Sequence, residues 1–190
     1  MTAKPTNWPT NVQYIPQQCY HSSVPLEALS YIRGPLGKNA SLKSTNNGRS
    51  SSVIIRTITD PSHPAVGQCG LFAAKKIPPN THIIDYSGEV HGDDRDSDYD
   101  LSLYRTQDGL SIGIDALSFG NEARFINDYR GIRSKPNAVF QDRRTDAGEL
   151  RMSVWSTSLP IKKGQEILVS YGKGWWKARF NDGVAEPHTA

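Results

Sequence analysis

Short strand-like segments, closely spaced, set the strongest limit on how this chain can fold. The stretches SVIIRTI, THIIDYSG, LSIGIDA and QEILVSYG are rich in β-branched residues or alternate apolar with polar ones, and ELRMSVWSTSL adds another. Each of the first four runs about five to eight residues between Gly, Pro, Asn or Asp, which suits a strand. SFGNEARFIND is the one central stretch with helical character, and it is short. No strand–helix alternation of the doubly wound kind is present, so the sequence predicts a mainly β domain with few short helices. Within NEARFINDYRG, the buried-type residues Phe125 and Ile126 sit among Arg124, Asn127, Asp128 and Tyr129 before Gly131 breaks the run, an odd mixture for a surface loop.

The chain divides into three parts. Residues 1–52 form an N-terminal extension: Pro5, Pro9 and Pro16 predict an extended arm, Ser23 and Pro25 open a short helix carrying Leu26, Leu29, Tyr31 and Ile32, and Gly34-Pro35 ends it. GKNASLKSTNNGRSSS then has the composition of a linker. The main domain spans 53–172, with a variable insert over about 91–118, and 173–190 form a short tail.

Composition removes several classes of function. With 190 residues the chain holds one domain with a core, and the mean hydropathy of −0.55 describes a soluble protein rich in loops. No window has the roughly 18 apolar residues of a membrane span, and Met1 to Thr10 lacks a secretory layout, so the cytosol or nucleus is expected. Cys19 and Cys69 are far apart and outside any CxxC arrangement, which excludes a disulfide framework and a cysteine-rich zinc site. A net charge of +3 does not argue for nucleic acid. The charge is uneven, however: Glu89, Asp93, Asp94, Asp96, Asp98 and Asp100 face a single Arg95. This run is either a solvated loop or a surface that attracts a basic peptide.

Motifs taken singly are weak. Gly67 and Gly70 in GQCGLFAAKKI let a ligand approach the backbone, but a tight turn explains them equally well. The five histidines sit in no nucleophile–base context, His91 near Asp93 and Asp94 lacks a second spaced ligand, and no phosphate-binding loop occurs.

Taken in order, GLFAAKKIPPNTHIIDYSGEV, IGIDALSFGNEARFINDY, KPNAVF and LPIKKGQEILVSYG resemble the successive motifs of SET-domain protein lysine methyltransferases, over Val53 to Trp176. The resemblance implies a fold of small β-sheets in which RFIND and ILVSYG meet as a pseudoknot, a threading that general chain rules disfavour. It implies S-adenosylmethionine (SAM) as cofactor, with the backbone of Cys69, Gly70 and Leu71 facing its methionine portion. Asn127 would bond its amino-acid end and the Asp128 backbone its adenine. Tyr99 is a SAM contact or a strand-core residue, and Arg124 a ligand contact or an ion-pair partner. Of Trp175 and Trp176 one would close the site, and Trp175 is assigned to the cofactor. Two positions depart from the family: Asp128 replaces the usual His after Asn, and Gln68 replaces the first Gly of the Gly-x-Gly turn. A main-chain contact tolerates Asp128; a contact through an imidazole does not.

The same resemblance makes Tyr171 and Tyr86 the catalytic channel tyrosines, with Tyr171 at the methyl-transfer centre. Methyl transfer needs a neutral amine, and a lysine with pKa near 10.4 is neutral about once in two thousand at pH 7. A narrow aromatic channel favours that form by desolvation. Phe140, where some members carry Tyr, and Val169 would leave room for additional methyls on the substrate nitrogen. Family members often carry Cys-rich zinc modules and this chain has none, so no metal is expected. The residues between Glu89 and Gly113, the tail or a second subunit in a homodimer would then order the substrate. A basic peptide, a histone above all, is the expected partner, in the nucleus or also the cytoplasm, without nucleic acid or membrane. The competing reading is a SET-fold peptide-binding module that has lost cofactor affinity.

Overall fold

The computed structural model describes residues 4–34, 51–172 and 176. Its strands are β1 Gln13–Tyr14, β2 Cys19–Tyr20, β3 Val53–Thr57, β4 Cys69–Ala73, β5 His82–Tyr86, β6 Glu89–His91, β7 Asp100–Arg105, β8 Ser111–Asp115, β9 Phe119–Gly120, β10 Asn127–Asp128, β11 Ala138–Arg144, β12 Leu150–Ser156 and β13 Leu168–Val169. They pair into small sheets in the orders β3-β4, β11-β12-β5, β2-β6-β8-β7, β1-β9 and β10-β13. The mainly β reading therefore holds, and the segments read as strands form strands. The central stretch is a single 3-10 turn at Glu122–Phe125, not a longer helix. Asn121 caps it: its side chain accepts from Ala123 N while its amide donates to the Asp85 carbonyl at 2.7 Å. An amide used on both sides adds to the backbone bonds Arg124 N to Asn121 O and Ile126 N to Ala123 O in fixing a tight turn.

The alternation that marked the strands is the alternation of burial. In β3 Val53 and Ile55 point into the core. The middle strand β12 is covered on both faces, with Val154 fully buried, and it carries polar residues inward as well. Arg151, Ser153 and Ser156 are satisfied in place, as most buried polar groups are. Ser153 donates to Asp85 at 2.6 Å, and Arg143 reaches Asp85 at 2.9 Å. Burial opposes ionisation of Asp85, yet hydrogen bonds from His82, Ser153 and Arg143 outweigh it and hold the carboxyl well below the usual range. A folded-state pKa below the unfolded value near 3.9 means stability that is present above that pH and lost as pH falls. Asp85→Asn is expected to lower Tm at neutral pH and to flatten the decline of Tm from pH 5 to pH 3, read by circular dichroism. A decline as steep as that of the wild type would show that Asp85 does not link the fold to acid.

The N-terminal residues depart from the sequence reading. They do not extend from the body as an arm: β1 pairs parallel with β9, β2 pairs parallel with β6, and Val12 is buried. Trp8 accounts for much of this, its ring edge-on to Phe125 at 5.5 Å and its indole donating to the Val12 carbonyl. An aromatic anchor and two strand pairs outweigh the irregular backbone that the prolines impose. The predicted helix is present at Leu26–Arg33, ended by Gly34 at φ 75°. Its inward residues are Ala28 and Ile32, whereas Tyr31 is half exposed and stacks on Tyr104 at 4.3 Å. Ser23 makes no cap; its hydroxyl donates to Asp93 at 2.7 Å. The linker stretch lies outside the described residues from 35 to 50.

The threading is present. β10 pairs parallel with β13, matching Asn127 to Leu168 and Asp128 to Val169. On the other side of the same segment, Asn137 N donates to the Leu168 carbonyl and Leu168 N to the Asn137 side chain. Leu168–Val169 thus run between two stretches of the chain that precede them. Just upstream, Ile167 N bonds the Leu71 carbonyl, so the segment changes partner from β4 to β10 within one residue.

Candidate active site

The threaded segment closes one side of a cavity of about 540 Å³. Tyr86 at the end of β5, Phe140 in β11 and Tyr171 after β13 supply aromatic walls, while Asn127 and Asp128 in β10 and Cys69 in β4 supply polar ones. Tyr99, Leu101 and Arg124 complete a further side. A volume in this range, mostly apolar with a few convergent polar groups, suits a small-molecule ligand.

Both phenols are fixed. Tyr171 donates to the Ile126 carbonyl at 2.7 Å, and Tyr86 donates to the Tyr99 carbonyl at 2.7 Å. Phe140 packs edge-on to Tyr86 at 5.9 Å. Burial, with the Asp128 charge added for Tyr171, pushes both phenols above their ordinary pKa. Each is a neutral hydroxyl at any physiological pH, able to orient a ligand and unsuited to act as a base.

Asp128 has a role that sequence did not show. Its buried carboxylate accepts from Arg130 at 2.7 Å, from the Tyr171 backbone N–H at 2.8 Å and from the Trp176 indole at 3.3 Å. The side chain is thereby committed to holding the chain on both sides of the cavity. Among the described residues Arg124 makes no ion pair: its guanidinium lies over the Tyr99 ring at 4.1 Å and donates to the Ala116 carbonyl.

Other expected residues fall elsewhere. Leu71 and Val169 are fully buried in the core and do not line the cavity. Gly70 is needed for space, since a Cβ there would lie 2.6 Å from the Glu166 carboxylate. Trp175 lies outside the described residues; Trp176 lines the cavity. Of the acidic run, Glu89 and Asp93 pair with Arg95, which also reaches Asp115 outside the run, Asp100 bonds His91, Asp94, Asp96 and Asp98 are exposed, and Asp98 borders the cavity. The Ser23 hydroxyl holds Asp93 down to about 2, so it stays ionised.

Sequence reasoning missed Pro9, Asn11 and Val12, which reach the cavity from the N-terminal segment, and His63, which reaches it from the loop before β4. His63 was dismissed for want of context, because its partner Glu166 lies 103 residues away. Among the described residues no group of three or more His, Cys, Asp or Glu is placed to hold a metal, and no helix is long and apolar enough to cross a membrane.

Small sheets threaded by a late segment around a tyrosine-walled cavity define a SET domain. The family model of that name matches residues 68–172, more than half of the chain, and the chain belongs to this family. Histone-lysine N-methyltransferase EHMT1 of Homo sapiens is 32% identical over 111 residues, 56% of this chain and 8% of that protein. Inactive histone-lysine N-methyltransferase 2E of Mus musculus is 32% identical over 152 residues, 75% of this chain and 7% of that protein. The chain therefore spans less than a tenth of the length of these relatives. The crystal structure of ATXR5 in complex with a mono-methylated histone H3.1 superposes with a TM-score of 0.61 at 17% identity, covering 86% of this chain and 82% of that one, a likeness of fold.

Proposed function

We propose that this chain is a SAM-dependent protein-lysine N-methyltransferase acting on a basic peptide, with a histone tail as the candidate substrate and the nucleus as its place of work. The observation that carries this is the convergence of Tyr171, Tyr86, Phe140 and the Asn127 amide on one cavity. The donor set fits the cofactor: the Asn127 amide suits its amino-acid end, and Cys69 and Asp128 line the same space. SAM, when bound, supplies a methyl group activated on a sulfonium. The protein's own contribution is orientation and desolvation. Tyr86 and Phe140 exclude water from an incoming amine and so favour its neutral form. Tyr171, held by its bond to the Ile126 carbonyl, keeps an oxygen at the cavity wall that would serve as a weak C–H acceptor for the methyl to be transferred. β7 lies at the end of its sheet order beside the exposed Asp94 and Asp96, so a basic peptide can add along that edge.

Phe140 favours more than one methyl per lysine, because a phenyl ring has no hydroxyl with which to hold a water beside the substrate nitrogen. Phe140→Tyr is expected to shift the product toward monomethyllysine, read by mass spectrometry on a histone peptide. A wild type that makes only monomethyl product would end that reading.

The mouse relative that covers 75% of this chain is named inactive, which favours a second reading: a SET-fold module that holds a peptide without transfer. Titration calorimetry with SAM separates the two, followed by incubation with labelled SAM and mixed histones. Micromolar binding and label in protein support the enzyme; absence of SAM binding supports the module.

A further inference from the structure

His63 sits in the loop between β3 and β4, which is built to hold it. Gly67 N bonds the Ile58 carbonyl and Ile58 N the Gln68 carbonyl, closing the base, while Ser62 N and its hydroxyl both bond Asp60. The loop is seated on the body where Pro64 meets Gly131, a position at φ 77° at which a Cβ would come within 2.7 Å of the proline ring. The His63 side chain is turned inward and only 8% exposed, 3.0 Å from Glu166, itself 9% exposed.

The backbone assigns its tautomer. Ala65 N–H donates to His63 Nδ1 at 3.0 Å, so Nδ1 carries the lone pair and Nε2 the proton. Nε2–H therefore donates to Glu166 Oε2, and the other carboxylate oxygen, Oε1, accepts from Asn127 Nδ2 at 2.8 Å. The bonds converge on Glu166, which accepts from the loop side through His63 and from the cavity side through Asn127. The second of these also settles which way the Asn127 amide faces, because a carboxylate accepts only the NH2 side. The Oδ1 atom is left as the acceptor on the opposite side of a residue that lines the cavity.

We propose that His63 is a positioning residue for the amino-acid end of the cofactor, acting through Glu166 to hold Asn127 with its oxygen toward the cofactor's ammonium group. This rests on the functional reading above and adds a residue to it. Without the imidazole, Glu166 loses the donor that holds its Oε2, so the carboxylate and the Asn127 amide bonded to it are less firmly placed.

The test compares His63→Ala and His63→Gln with the wild type, by competition against labelled SAM, using S-adenosylhomocysteine and 5′-methylthioadenosine, which shares the nucleoside but lacks the amino-acid end. His63→Ala is expected to weaken S-adenosylhomocysteine about tenfold, the size of a hydrogen bond to a charged group. Binding of 5′-methylthioadenosine should stay within about twofold, since it makes no such bond. His63→Gln, whose side-chain amide can both donate and accept, should recover most of the loss. Equal weakening of both ligands, or no weakening of either, overturns the proposal. A wild type that binds none of these ligands overturns the functional reading itself, and this inference with it.

Discussion

Tyr171→Phe is expected to lower kcat for methyl transfer by about 100-fold or more while SAM affinity changes less than about threefold. The hydroxyl donates to the Ile126 carbonyl, so its oxygen lone pairs are aimed and its ring is held at the cavity wall. Phenylalanine keeps the ring and removes the oxygen. Because the phenol is pushed above its ordinary pKa by burial and by the Asp128 charge, it does not take the amine proton. The rate of the wild type should therefore rise with pH as the substrate amine becomes neutral, with no downturn from this tyrosine below about pH 10. Single-turnover rates across pH, together with calorimetry for SAM, check both parts. A variant that retains more than a tenth of the wild-type rate would remove Tyr171 from the transfer centre.

Asp128→Ala should be the most damaging single change to stability. It strips the Tyr171 backbone N–H and the Trp176 indole of an acceptor and leaves Arg130 without its carboxylate. Losing one partner from such a buried network costs about 3 kcal/mol. For a domain of this size that lowers Tm by roughly 10 °C. SAM affinity should fall as well, since the same carboxylate anchors residues on two walls of the cavity. Arg130→Ala offers the contrast: Asp128 would still accept from Tyr171 N, and a loss less than half as large is expected. Thermal melts of the two variants decide the matter. Equal losses would mean that the ion pair alone, and not the bond to the Tyr171 backbone, gives Asp128 its effect.

Local signals carried the strands, and resemblance carried the rest of the fold. Val53 and Ile55 announced a strand because β-branched residues at alternate positions have one good use. The pairing of Asn127–Asp128 with Leu168–Val169 could not be read in this way, since two-residue strands have no period and threading has no local signature. Side-chain roles divided similarly. Tyr86, Tyr171, Phe140 and Asn127 stand in recognisable motifs, and the structure brings them to one cavity. His63, Trp8 and the Asp128 carboxylate act through partners distant in sequence, and no spacing rule reports such a partner. The arm was misread for the same reason: Pro5, Pro9 and Pro16 describe the backbone between contacts, while Trp8 and Val12 make the contacts.

The run of Leu168–Val169 between Asn127–Tyr129 and Asn137 has a consequence for how the protein is born. During synthesis Asn127–Tyr129 and Asn137 emerge before Leu168–Val169, so a nascent chain can pair its earlier strands while the cavity still lacks one side. Passage of that last piece through a gap already framed by earlier residues is a non-local, late and slow event. Acquisition of the pocket and completion of the fold are one step, and a cofactor present at that moment would draw the chain toward its finished form.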